Sequence, residues 1–252
     1  MRRKASQPNR DDAALGARRP LSGTLFLVGV PIGHPDDLSL RAAEVLKQVA
    51  VVAATTPLST ERLLAHHGIR QTVTSYGPHH VTEKIAVLLQ RLKQGQDVAL
   101  VSDCGMPGIY HPGERFVAAA LDADLPVKII PGPSALTAAV TCSGYSGNAL
   151  IFEGHPPDHQ PALLRFLARF KDEQRTAAFF LTRASVAMVL AGMVQVLPTR
   201  QVTLCVDLTL PGETVLRGRP HRVLRQVQSL SSDVRLTLVL RGKTTPGRLK
   251  RR

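Results

Sequence analysis

From residue 23 onward the chain alternates short apolar runs with segments whose apolar residues recur at helical spacing. GTLFLVGV (23–30) reads as a strand, LSLRAAEVLKQV (38–49) as a helix and AVVAAT (50–55) as a buried strand. A helix from Ser59 to His67 and a short strand near 71–75 follow. The helix over 81–94 carries Ile85, Leu88, Leu89 and Leu92 on one stripe. DVALVS (97–102), a helix over 114–122 and a strand over 126–130 continue the alternation. Apolar strands separated by helices of this length predict a parallel sheet covered by helices.

PGPSALTAAVTCSG (131–144) reads as a turn and a small-residue helix, and YSGNA (145–149) as a link. The apolar residues of that helix, 134–142, suit a core or a subunit interface equally. Beyond the link the pattern changes. It runs LIFEG (150–154), a helix over 161–171, TAAFFLT (176–182), a helix over 184–196 and QVTLCVDL (201–208). ETVLRG (213–218), a helix over 221–229 and VRLTLVL (234–240) complete it. Fewer helices between strands predict a mixed, partly antiparallel sheet. The expected organisation is a basic arm (1–20), an α/β domain with a parallel sheet (21–145), an α/β domain with a mixed sheet (146–240) and a basic tail (241–252). No internal repeat is visible.

A hydrophobic content of 44% in 252 residues excludes wholesale disorder and a collagen-like chain. The net charge of +13 is less informative than it looks. Residues 1–20 hold six basic and two acidic groups, and residues 241–252 hold six basic and none acidic. The intervening 220 residues contribute only +3. The ends are therefore suited to nucleic-acid phosphates or an anionic membrane surface, or are simply solvated. No run of 18 apolar residues occurs, so no bilayer span is expected. The first 20 residues lack an apolar stretch after the basic start, which argues against a secretory signal. Cys104, Cys142 and Cys205 are odd in number and far apart in sequence. They fit neither a disulfide framework nor a zinc site, and a reducing cytoplasm is the simplest setting.

Three loops rich in glycine and proline fall after predicted strands of the parallel sheet: VPIGHPDD (30–37), SDCGMPGIYHPG (102–113) and IPGPSA (130–135). Ligands of such sheets sit beyond the carboxyl ends of the strands, so the three loops together mark a site that presents backbone groups to a flat, polar cofactor. No GxGxxG follows the first strand and no GxxxxGK[ST] occurs, which argues against a Rossmann dinucleotide site and a P-loop. HExxH, CxxC and GxSxG are absent as well. The pairs His66–His67 and His79–His80 lack the i,i+4 spacing of helical metal ligands, so no metal is expected.

GTLFLVGVPIGHPDDLSLRAAEVLK, VALVSDCGMPGIYHPGERFV, VKIIPGPSALTAAVTCSG and LIFEG, in this order, resemble the ribosomal-RNA small-subunit methyltransferase I family of the tetrapyrrole-methylase superfamily. The resemblance runs from about Gly23 to Leu240. It implies two α/β domains with S-adenosylmethionine in the cleft between them, a homodimer, and methylation of the 2′-hydroxyl of a cytidine in 16S ribosomal RNA. It also implies cofactor contacts at Pro31 and Gly33, at Asp103, Gly105 and Ile109, and at Ser134 and Ala135. From the second domain, Phe152 and the stretch Asp207, Leu208, Thr209 would approach.

The same resemblance exposes losses. Where the family has a pattern like AEDTR, this chain reads ATTPL (54–58), without the acidic pair or the arginine. The SYHEHNE-like stretch is SYGPHHV (75–81), the ESPHR-like element falls on LTRAS (181–185), and RELTK falls on VDLTL (206–210) with Glu213 beyond it. His34 replaces the asparagine after the PIG turn. Methyl transfer to a hydroxyl needs an in-line arrangement and a proton acceptor. Thr55 and Thr56 cannot serve as bases near neutral pH, which leaves Asp103 and His34 as the candidate catalytic groups. Three readings follow: an RNA 2′-O-methyltransferase, a degenerate paralogue that binds cofactor or RNA without catalysis, and a small-molecule methyltransferase of the tetrapyrrole type. The PIG and IPGPSA stretches are closest to the RNA-modifying branch and disfavour the third.

Overall fold

A computed structural model describes residues 22–77 and 81–243. The basic arm, most of the basic tail and the His79–His80 pair lie outside the described residues.

Strands β1 (Leu25–Val28), β2 (Val51–Ala54), β3 (Val73–Ser75), β4 (Val98–Val101) and β5 (Val127–Ile130) form an all-parallel sheet in the order β3-β2-β4-β1-β5. Helices α1 (Leu40–Gln48), α2 (Pro57–His66), α3 (Val81–Lys93) and α4 (Glu114–Asp122) connect them. Strands β2 and β4 are buried on both faces, and their successive residues divide between them. Val52, Ala54, Ala99 and Val101 pack with Leu46 of α1 and Leu64 of α2. Val51, Ala53, Val98 and Leu100 pack with Leu88 and Leu92 of α3 and Phe116 of α4. This is why β2 and β4 carry no polar positions, whereas the edge strands β3 and β5 include Thr74, Ser75 and Lys128.

Strands β6 (Leu150–Phe152), β7 (Thr176–Leu181), β8 (Val202–Val206), β9 (Thr214–Gly218) and β10 (Leu236–Leu240) form a second sheet, in the order β6-β7-β10-β8-β9. Only β6 and β7 run parallel; the other neighbours are antiparallel. Helices α6 (Gln160–Ala168), α7 (Val186–Val196) and α8 (Pro220–Gln226) accompany it. Leu163, Leu190 and Val223 from those helices cover one face, against Phe179, Leu204 and Leu238.

The opposite face, with Ala178, Cys205 and Val239, is covered by α5 (Ala135–Ser143) through Ala139 and Val140. This helix precedes the 145–149 link in sequence, yet it packs on the second sheet. Ile32 of the first loop joins the same cluster. Small side chains on α5 allow the close approach, which buries Ala139, Val140 and Ser143 within the chain. It also brings Cys142 and Cys205, 63 residues apart, to an Sγ–Sγ separation of 3.2 Å as free thiols, a proximity that linear spacing conceals. Among the described residues no helix is long and apolar enough to cross a membrane.

Candidate active site

Because β4, β1 and β5 are neighbours, the loops that leave their carboxyl ends emerge side by side. Gly29 and Gly132 meet back to back. A Cβ on Gly29 would stand 2.6 Å from the Gly132 nitrogen, so no side chain fits between the first and third loops. The first and second loops are bridged by Val30 and Gly105, which exchange backbone hydrogen bonds of 3.0 and 3.1 Å. Gly105 holds φ +73°, a conformation open to glycine at little cost. The buried hydroxyl of Ser102 donates to the carbonyls of Cys104 and Gly105 and folds the second loop back on its strand.

The second sheet closes on this edge through residues 207–213. Asp207 and Thr209 both have positive φ, 51° and 67°, and flanking contacts hold them there. Asp207 Oδ1 accepts from the Arg235 amide at 2.8 Å, and Glu213 Oε2 accepts from the Thr209 amide at 2.7 Å. The segment presses against Gly33, where a Cβ would lie 2.4 Å from the Leu208 carbonyl oxygen and 2.5 Å from Thr209 Oγ1. The His34 amide donates to Thr209 Oγ1 at 2.9 Å, and the Arg235 guanidinium donates to the Ile32 carbonyl. The first loop is thereby clamped between the two layers.

Two adjoining cavities result, both bordered by Arg235. The larger, of about 420 Å³, lies between the layers and is lined by Ile32, Gly105, Ile109, Ser134, Ala135 and Leu208, with Phe180–Arg183 and Ser232–Thr237 opposite. Its size falls within the usual range for small-molecule sites. Ser134 caps α5 without a side-chain hydrogen bond to the helix, so the first amides of α5 are available to an anionic ligand group. Aromatic rings form the rim: Tyr110 lies 4.6 Å from His155 and 5.7 Å from Phe180 between ring centres. Tyr110 itself has φ +61°, and its ring seats on Gly154, where a Cβ would be 2.7 Å from it. Cys104 Sγ and His111 Nε2 face each other at 3.7 Å. Burial pushes the thiol up and the imidazole down, so the pair is neutral at pH 7 rather than a thiolate and an imidazolium.

The smaller cavity, about 280 Å³, is lined by Pro31, Gly33, Ser102 and Asp103 and by the α2 face of Ser59, Arg62, Leu63 and His66. Asp103 Oδ2 accepts from Thr56 Oγ1 at 3.1 Å, and no described residue engages Oδ1. Thr55 Oγ1 is buried without a partner among the described residues.

Thus Gly105, Ile109, Ser134, Ala135 and Leu208 share the large cavity, and Pro31, Gly33 and Asp103 share its neighbour. Phe152 lines neither; it packs edge-on against Phe180, with centroids 4.9 Å apart. His34 also lines neither. Its Nδ1 accepts from the Asp36 amide at 3.2 Å and caps a 3-10 turn over Pro35–Asp37. The same nitrogen stands 3.9 Å from Asp36 Oδ2. Of the two candidate catalytic groups, Asp103 lines the smaller cavity and His34 lines neither.

Arg62, Arg235 and Phe180 reach the cavities from outside the motifs read in the sequence, whereas Tyr110 comes from the second glycine-rich loop and Arg183 from LTRAS, neither singled out there. Asp36, His66 and His67 bring three metal-binding atoms within 4.8 Å of one another, although helical spacing gave no such sign. These groups already have protein partners. His66 Nε2 meets Asp36 Oδ1 at 2.7 Å, and His67 Nε2 meets the Pro35 carbonyl at 3.0 Å. The His66 ring holds the Asp36 carboxyl below its ordinary range, and the contacts tie the first loop to the end of α2.

Residues 24–222 match the family model of the Tetrapyrrole (Corrin/Porphyrin) Methylases. Among curated proteins, the chain is 37% identical over 236 residues to a ribosomal RNA small subunit methyltransferase I of Micromonospora olivasterospora, covering 94% of this chain and 73% of that one. It is 33% identical over 221 residues to the enzyme of that name from Thermotoga maritima, covering 88% and 99%. Among solved structures, uroporphyrin-III C-methyltransferase from Thermus thermophilus in complex with S-adenosyl homocysteine superposes with a TM-score of 0.61. Identity there is 20%, over 87% of this chain and 97% of the other. Cobalt precorrin-4 methyltransferase superposes with a TM-score of 0.63 at 18% identity, over 86% and 94% of the two chains. Both structural likenesses speak to the fold.

Proposed function

This chain belongs to the tetrapyrrole (corrin/porphyrin) methylases and, within them, to the ribosomal RNA small subunit methyltransferase I family; from that premise we propose that it methylates the 2′-hydroxyl of a cytidine in 16S ribosomal RNA. It is a methyltransferase dependent on S-adenosylmethionine, which supplies an activated methyl group on a sulfonium. The observation that carries the reading is the pairing of the two cavities, an apolar cleft beside a polar pocket that holds Asp103.

The cleft suits an adenosyl cofactor in chemistry as well as size. Ile32, Ile109 and Leu208 offer apolar walls, Gly105 permits close backbone approach, and the first amides of α5 suit an amino-acid carboxylate. Pro31 and Gly33 shape the boundary with the polar pocket, where the acceptor ribose would lie. Thr56 orients the Asp103 carboxylate by donating to Oδ2, and Oδ1 is free to take the proton of an attacking hydroxyl. Clamping of the first loop by Thr209 and Arg235 holds the two pockets in fixed relation, which an in-line displacement needs. We further propose a cytoplasmic setting, the small ribosomal subunit as partner, and a homodimer, for which light scattering on the purified chain is the check.

Transfer of labelled methyl from S-adenosylmethionine to unmodified 30S subunits, with mapping of the modified nucleotide, tests the proposal. Incorporation at a cytidine ribose is expected, and incorporation into a base or into no RNA at all overturns it. A binding-only role has one observation behind it, the threonines at 55 and 56 in place of two acids. Cofactor binding without any transfer in that assay would select it.

A further inference from the structure

Arg62 lies on α2 with Ser59, Leu63 and His66, spaced by three, four and seven residues along the one face that borders the polar pocket. Its side chain is exposed and makes no ion pair or hydrogen bond with any described residue. Arg235 borders the same pocket from the other layer, anchored by its bond to the Ile32 carbonyl. Among the described residues Asp103 is the one carboxylate on the lining, and Thr56 occupies one of its oxygens. Among the described lining residues two guanidinium groups face one carboxylate around about 280 Å³, while Asp36 behind the lining is already paired with His66, so positive charge is in excess on the lining.

We propose that this pocket is a phosphodiester subsite, in which Arg62, with Arg235, grips the RNA phosphate next to the ribose that is methylated. A guanidinium fork matches two phosphate oxygens, and it does so best where no protein acid competes. Asp103 repels a phosphate and attracts a hydroxyl donor. The phosphate therefore takes the α2 side of the pocket and the ribose hydroxyl the Asp103 side, an order that a nucleotide and its neighbouring phosphate can satisfy. The 220 residues between the basic ends carry a net charge of only +3, so a guanidinium placed at the pocket weighs heavily there. The inference rests on the RNA reading above and names the group by which RNA is held.

The test compares full-length parent, Arg62→Ala and Arg62→Lys in methyl transfer to 30S subunits across a salt series. It also measures anisotropy of a labelled single-stranded RNA fragment and calorimetry with S-adenosylmethionine. For Arg62→Ala, the KM for 30S subunits is expected to rise about five- to tenfold, more than kcat falls. The slope of log affinity for the RNA fragment against log salt should shrink by about 0.7–0.9, one phosphate contact, with cofactor affinity within twofold of the parent. Arg62→Lys should restore the salt slope and part of the KM. An unchanged KM and salt slope in Arg62→Ala would overturn the subsite, as would a loss of cofactor affinity equal to the change in KM. If the parent transfers no methyl to 30S subunits, the RNA-methylation reading fails. The anisotropy comparison still decides the subsite: equal binding by parent and Arg62→Ala refutes it.

Discussion

Gly33→Ala is the most direct probe of how the two layers cooperate. Gly33 does not have positive φ, so alanine can adopt its backbone, and the smaller entropy of the unfolded variant favours folding by about 0.4–1 kcal/mol. The opposing effect is steric. The new methyl carbon would sit 2.4 Å from the Leu208 carbonyl oxygen and 2.5 Å from Thr209 Oγ1, where ordinary contact begins at 3.4 Å. The 208–209 backbone must retreat by roughly 1 Å, at about the 1–3 kcal/mol typical of overpacking. That retreat stretches the 2.9 Å bond from the His34 amide to Thr209 Oγ1 beyond useful range, losing about another 0.5–1.5 kcal/mol. The net expectation is a destabilisation of about 1–3 kcal/mol, read from urea midpoints, against a total stability of order 5–15 kcal/mol. Because Leu208 is a wall of the cleft, the dissociation constant for S-adenosylmethionine should rise about tenfold, equivalent to about 1.4 kcal/mol. Gly212→Ala is the control: the same segment, no atom within 4 Å of the added Cβ, and no positive φ, so neither quantity should worsen. A Gly33→Ala protein as stable as its parent, binding the cofactor equally well, would refute the clamp between the layers.

Other expectations follow from the same geometry. Asp103→Asn should lower kcat about 10²–10⁴-fold while calorimetry shows cofactor affinity within a few-fold of the parent, if Asp103 takes the proton. Burial depresses the His111 pKa, so the unfolded chain binds its proton more readily than the native one. Stability from this group is complete above about pH 6.5 and is lost as pH falls toward the lower native value, and His111→Gln should flatten the urea-midpoint profile between pH 7 and 5. Cys104, pushed up by burial, should alkylate with iodoacetamide at pH 7.5 far more slowly than a free thiol, as followed by mass spectrometry. Removal of residues 1–20 and 244–252 should weaken RNA binding and reduce its salt slope without altering cofactor affinity; an unchanged slope would assign the electrostatic attraction to the folded body.

What the linear chain determined is the succession of elements, because each buried strand and amphipathic helix announces its own period within a few residues. Thus 98–101 and 114–122 stand where the pattern puts them. The three glycine-rich loops were legible too, since tight turns restrict composition locally, and four of their residues that the resemblance points to, Gly105, Ile109, Ser134 and Ala135, line one cavity. Tertiary structure decided whatever depends on a distant partner. The strand order β4-β1-β5 sets the loops side by side, and α5 joins the second sheet despite its place before the link. Arg235, about 200 residues from Ile32, closes the first loop, and Thr56 reaches Asp103 across 47 residues. His34 shows the limit most plainly. Its residue type suits a base, but the fold sets it off both cavity linings, with its Nδ1 accepting from the backbone amide two residues away. Periodicity and turn composition are properties of neighbours along the chain. A side chain's free lone pair, its cavity and its opposing charge are fixed by what the fold packs against it.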